Sequence, residues 1–115
     1  MRLAILGAGA WGTALGVALA SYHEISLWAR DPAQGRKLAA DRINARYLPD
    51  VAIPERVRIT PDMRSAIAAS ELIVVAVPTS ALRETLRLVA LSGVQAGVVW
   101  LCKGFEAGTA KFPHR

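Results

Sequence analysis

This 115-residue sequence predicts a three-layer α/β/α fold, a doubly wound parallel sheet of five strands with helices on both faces. Three observations predict it. Short apolar runs alternate with stretches of helical period, in the order β-α-β-α-β-α-β-α-β. The strongest runs, Leu3 to Leu6 and Glu71 to Val77, are unbroken and apolar past the opening glutamate, so both of their faces need cover. The first run passes at once into a glycine-rich turn that opens the first helical stretch. The composition agrees: 53% apolar and 20% charged residues can build a core and are too apolar for a disordered chain. The length is room for one domain, residues 1–115.

The elements follow in order. Leu3 to Leu6, bounded by Gly7, is a strand buried on both faces. Trp11 to Tyr22 is a helix: Gly12, Leu15, Gly16 and Leu19 share one face, and the two glycines let that face lie close to its support. Ile25 to Ala29 is the second strand. Asp31 caps the next helix, with Pro32 in its first position and Gln34 reaching back from the third, and the helix runs to about Ile43. Asn44 to Glu55 contains Pro49 and Pro54, has no period and reads as a loop. Val57 to Ile59 is a short third strand, and Thr60-Pro61 caps a short helix through about Ala69. Glu71 to Val77, rich in β-branched residues, is the fourth strand and stops at Pro78. Thr79 and Ser80 can cap the helix from Ser80 to Ala90, which sets Leu82, Leu86, Val89 and Ala90 against Arg83, Glu84 and Arg87. Val98 to Leu101 is the fifth strand, and Phe105 to Arg115 has no strong pattern.

Several function classes are excluded or disfavoured. One cysteine, Cys102, excludes an internal disulfide framework and a multi-cysteine metal cluster. No apolar segment approaches about 18 residues and the run from Leu3 to Leu6 is shorter than a secretory core, so the expectation is a cytoplasmic protein without membrane insertion. The net charge of +5 suits anionic small molecules or nucleic acid. The 14 Lys and Arg are dispersed, with no basic cluster interleaved with aromatics, which argues against nucleic acid. His23 and His114 have no partner at metal-ligand spacing and read as surface residues, so no metal is expected. Trp28 and Trp100 read as core.

The turn Gly7-Ala8-Gly9-Ala10-Trp11-Gly12 fits G-x-G-x-x-G, and its place between first strand and first helix makes the pattern specific. Gly7 permits the tight turn. Gly9, lacking a Cβ, lets a pyrophosphate approach the backbone, and Gly12 lets the helix lie close on the strand. Bare N–H groups and the positive end of the helix dipole then favour the pyrophosphate. This is the Rossmann-type arrangement for a dinucleotide. Arg30 follows the second strand, where an acid would bind the ribose 2′-OH of NAD and an arginine can receive the 2′-phosphate of NADP. Asp31 already has work as a helix cap, so Arg30 is the residue left for the cofactor, on a phosphate or stacked on adenine. The reading leans to NADP and leaves NAD open. Trp11 sits inside the phosphate loop, where it can cover the cofactor.

Ligands of an open parallel sheet lie beyond the carboxyl ends of the strands. Lys103 leaves the fifth strand there, beside Gly104, and is either a solvated loop lysine or a cation facing an anionic substrate or the nicotinamide end. Cys102 reads as a small apolar packer whose thiol Lys103 could acidify.

Five segments carry a resemblance: LAILGAGAWGTALG from Leu3 to Gly16, Leu27-Trp28-Ala29-Arg30, Asn44-Ala45-Arg46-Tyr47-Leu48-Pro49, Val75-Ala76-Val77-Pro78-Thr79 and Cys102-Lys103-Gly104-Phe105-Glu106. In this order they resemble bacterial NAD(P)-dependent glycerol-3-phosphate dehydrogenase over nearly the whole chain. The resemblance implies hydride transfer between NAD(P)H and dihydroxyacetone phosphate, giving sn-glycerol 3-phosphate for phospholipid synthesis. It also implies that Trp11, Arg30 and the loop at position 10 contact the cofactor, and that Lys103 touches both cofactor and substrate. The family often has Ser where this chain has Ala10, a change that keeps a backbone contact and loses a hydroxyl contact. The family continues into a helical domain bearing the catalytic lysine and most substrate contacts, and leaves room for a homodimer of the full-length protein. The chain is therefore expected to be the amino-terminal cofactor-binding part, inactive alone, with no catalytic residue of its own. The alternative is a stand-alone NAD(P)-sensing module without catalysis. A ketopantoate-type reductase shares the loop but not the segments from Asn44 to Pro49 and Lys103-Gly104.

Overall fold

A computed structural model describes residues 1–44, 48–68, 70–101 and 107–111. Its main sheet has six strands in the order β5-β2-β1-β6-β7-β8. The strands are β1 (Arg2–Leu6), β2 (Glu24–Trp28), β5 (Arg58–Thr60), β6 (Leu72–Val75), β7 (Gly97–Leu101) and β8 (Ala107–Lys111). The first five are the expected strands and pair in parallel. β8 adds an antiparallel edge, Val99 opposite Thr109, in a stretch that carries no strand signal in the sequence. The chain lays β2 and β5 on one side of β1, then returns to lay β6 and β7 on the other. The switch of direction therefore falls between β1 and β6, with Ile5 between Leu27 and Val74.

The unalternated strands have the cover they require. Leu3 and Ile5 enter a cluster with Ile25, Leu27, Ala20 and Leu38 on one face. Ala4 and Leu6 enter a second cluster with Ile73, Val75, Ile67 and Val89 on the other. The helices over the first cluster are α1 (Ala10–Leu19) and α2 (Pro32–Asp41), and those over the second are α3 (Met63–Ile67) and α4 (Thr79–Leu91). Trp28 is buried and donates its indole N–H to the Pro61 carbonyl at 3.0 Å. Trp100 packs only part-buried against the second cluster.

Local chemistry corrects several expected boundaries. α2 stops at Asp41, not Ile43, because Arg42 takes a left-handed conformation at φ 58°. Its guanidinium braces that turn against the carbonyls of Val57 at 2.8 Å and Glu55 at 3.2 Å. The expected loop after it holds a small antiparallel sheet of β3 (Ile43–Asn44) and β4 (Leu48–Ala52), with Pro49 tolerated because each strand there is an edge. α3 is capped by Asp62, whose carboxylate accepts from the Arg64 N–H at 3.1 Å, and not by Thr60-Pro61. α4 begins at Thr79 behind Pro78 with no side-chain cap from Thr79 or Ser80. His23 is half-buried, and its Nδ1 lies enclosed without a partner among the described residues. No described helix is long and apolar enough to cross a membrane, and no described group of three His, Cys, Asp or Glu could hold a metal ion.

Candidate functional site

The glycine turn lies at the carboxyl end of β1, beside the switch point. Gly7 has φ +121°, a region that disfavours side chains, and a Cβ there would run into the Ala76 carbonyl of the chain leaving β6. Its N–H donates to the Trp28 carbonyl at 2.9 Å, so the turn is tied to the ends of both neighbouring strands. A Cβ on Gly12 would run into the Gly7 carbonyl, so only glycine lets α1 begin this close to the strand that feeds it. Gly9 has open space: a Cβ would meet nothing within 4 Å. The first and third glycines are thus demanded by the protein's own packing, and the second faces room.

α1 has Gly9 as its N-cap, no side-chain cap and no acidic residue in its first turn. A helix start without a side-chain cap or an acid, at the positive end of the dipole, suits an anion. α2, starting from the neighbouring strand, is closed: the Asp31 carboxylate accepts from the Ala33 N–H at 3.0 Å. Asp31 therefore is the helix cap the sequence indicates. Gln34 does not complete a capping box. Its amide crosses to the glycine turn and donates to the Ala8 carbonyl at 3.3 Å.

That carbonyl has two further donors. Asn44, 1% exposed, gives one Nδ2 hydrogen to it at 2.7 Å and another to Thr13 Oγ1 at 2.9 Å. Thr13, also 1% exposed, donates its hydroxyl hydrogen to the Ala8 carbonyl at 3.4 Å. Sequence reasoning misses this cluster, since the sequence around Asn44 has the pattern of a loop and the position of Gln34 fits a capping box of its own helix. The available signal was the pair of polar residues flanked by apolar ones, which a buried position requires to be partnered.

Ala10 and Trp11 are exposed in the first turn of α1, Trp11 at 58%. Arg30 is exposed just past the end of β2, the strand whose Trp28 carbonyl holds the glycine turn. The structure thus brings Gly7, Gly9, Ala10, Trp11, Gly12 and Arg30 to one edge of the sheet. Lys103 and Cys102 lie outside the described residues, as do 45–47 of the quoted segment beginning at Asn44. A cavity of about 450 Å³ lined by Arg2, Glu24, Arg56 and Arg58 opens at the amino ends of β1, β2 and β5. It lies at the opposite edge from the glycine turn.

The model of the NAD-dependent glycerol-3-phosphate dehydrogenase N-terminus family matches residues 2–115. The chain belongs to this family. It is 54% identical over 118 residues to glycerol-3-phosphate dehydrogenase [NAD(P)+] of Methylibium petroleiphilum, covering 99% of this chain and 35% of the relative. Against the enzyme of the same name from Thiobacillus denitrificans the identity is 44%, covering all of this chain and 35% of the relative. Among solved structures, the glycerol-3-phosphate dehydrogenase of Coxiella burnetii superposes with a TM-score of 0.82 at 31% identity, over 89% of this chain and 32% of that one. The chain therefore spans about a third of the length of the dehydrogenases it matches. The Rossmann-type sheet and the uncapped glycine turn are this family's amino-terminal part.

Proposed function

We propose that this chain is the nucleotide-holding part of a glycerol-3-phosphate dehydrogenase, which moves a hydride between NAD(P)H and dihydroxyacetone phosphate. The observation that carries the reading is the start of α1: an N-terminus without cap or acid, packed against β1 by Gly12 and open at Gly9. Those amides suit the diphosphate bridge of a dinucleotide. Gly7 and Gly12 hold the turn in shape, Trp11 covers the bound nucleotide, and the backbone at Ala10 contacts it. Arg30 receives the adenosine end, where its fork suits the 2′-phosphate of NADP. The bound nucleotide supplies the hydride, and Lys103 contributes a positive charge to cofactor and phosphorylated substrate. The acid–base group and most of the substrate contacts come from the part of the enzyme that this chain does not span. Domain 1–115 then binds without turning over, and the whole enzyme, in the cytoplasm and as a homodimer, serves glycerophospholipid synthesis.

The test is a titration of the chain with NADPH and with NADH, before and after Arg30→Ala. Both nucleotides should bind. The substitution should weaken NADPH by about 1.5–3 kcal/mol, the range for a hydrogen bond to a charged group, and leave NADH nearly unchanged. Equal losses would place Arg30 on the adenine ring and remove the lean to NADP. No binding of either nucleotide would refute the reading. Turnover of glycerol 3-phosphate by these 115 residues alone would contradict the expectation that they lack the proton-transfer group.

A further inference from the structure

We infer that Asn44, with Thr13 and Gln34, is a positioning residue that sets the orientation of the Ala8–Gly9 peptide and so aims the Gly9 N–H at the diphosphate. The inference rests on the nucleotide-binding reading above. A peptide unit is planar and trans, so its C=O and the following N–H point in opposite directions. The Ala8 carbonyl points inward, at two side chains that are each 1% exposed, Asn44 and Thr13. The Gly9 N–H of the same unit must then point outward. At Gly9 the turn is open, since a Cβ would meet nothing within 4 Å, and among the described residues the Gly9 N–H has no hydrogen-bond partner.

The alternative orientation of this peptide is the hazard in a glycine turn. Glycine admits either sign of φ, so rotation of one peptide plane next to it has little steric cost. Rotation would turn a carbonyl oxygen toward an anionic ligand and bury an N–H against the donors of Asn44. The three side chains oppose it from three separate elements: Thr13 from α1, Gln34 from α2 and Asn44 from β3. Asn44 is the strongest of them, at 2.7 Å, and its orientation is unambiguous because a carbonyl can only accept. Three donors on one carbonyl also polarise the peptide, which makes the Gly9 N–H a better donor to phosphate oxygen. The left-handed turn at Arg42 ends α2 two residues before Asn44 and so delivers it to this place.

The test uses the ¹⁵N-labelled chain, titrated with NADPH, and its variants Asn44→Leu, close in size but without donors, and Gln34→Ala. The Gly9 amide proton of the wild type should move downfield as the nucleotide binds. In Asn44→Leu the affinity should drop by about tenfold, on the scale of one net hydrogen bond, and the Gly9 shift should be lost. Gln34→Ala, a longer bond from a half-buried residue that leaves the core intact, should give a smaller loss in the same direction. It decides the matter if Asn44→Leu does not fold. A merely structural role for Asn44 would lower the melting temperature and leave the Gly9 shift in place on saturation, and that result would overturn the inference. So would a wild-type chain that binds NADPH without moving the Gly9 signal. A wild-type chain that binds no nucleotide would instead strike at the functional reading itself.

Discussion

α1 and α2 start from neighbouring strands at the same edge of the sheet, and their first turns are built in opposite ways. α2 begins with an aspartate whose carboxylate satisfies the Ala33 N–H, and with a proline that has no N–H to satisfy. α1 begins with glycine and alanine, and no side chain caps it. A cap is worth roughly 0.5–2 kcal/mol, so α1 forgoes a stabilisation that α2 takes. On the proposed function, the difference is a division of labour. An acid at the start of α1 would occupy the amides that suit a diphosphate and repel its charge, whereas α2 can be closed because no anion needs its amides.

The comparison can be broken most forcefully at Gly12. Gly12→Ala places a Cβ against the Gly7 carbonyl, backbone that cannot yield, and should cost about 3 kcal/mol in urea unfolding. A loss below about 1 kcal/mol would mean that α1 can lift off β1 freely.

Gly9→Asp sharpens it by making α1 resemble α2. Gly9 has a negative φ of −76° and open space, so the side chain fits and can cap the helix. Thermal stability should hold or rise by a few tenths of a kcal/mol, about what aspartate gains over glycine at an N-cap. Nucleotide affinity should nevertheless fall by at least about tenfold, from the added charge and the blocked amides. Stability and binding moving down together would contradict the division of labour.

Asp62→Ala removes a cap of the α2 kind from α3, which lies over the other core cluster. About 1 kcal/mol of stability should go, with the NADPH dissociation constant unmoved.

The smallest effect belongs to the exposed pair on α4. Arg87 donates to Glu84 at 2.7 and 3.0 Å, and that hydrogen bonding holds the Glu84 carboxyl below its usual range. A carboxyl with a depressed value stabilises the fold above its unfolded pKa and loses that contribution as pH falls through the folded one. Glu84→Gln should therefore differ from wild type, if barely, at neutral pH and not at all in acid. A gap that widens on acidification would reverse the sign.

The sequence was legible wherever a local rule had no competitor. The five parallel strands follow from short, mostly apolar runs, and the glycine turn from a spacing made specific by its place between the first strand and the first helix. Asp31 was readable as a cap because its role is complete within three residues. Helix ends and the edge strands were less so. Residues 107–111, Ala-Gly-Thr-Ala-Lys, hold one strand former, Thr109, among residues depleted in strands, and pairing with β7 makes them a strand. Leu48–Ala52 is paired despite Pro49 because its partner β3 faces it across an edge.

What the sequence alone determined is the five parallel strands, their two covered faces and the glycine turn proposed to receive a diphosphate, all properties of neighbouring residues. The tertiary structure decided what holds that turn in shape. Thr13, Gln34 and Asn44 are as many as 31 positions apart and converge on one carbonyl oxygen, because a buried polar group must find its partners in space and not along the chain.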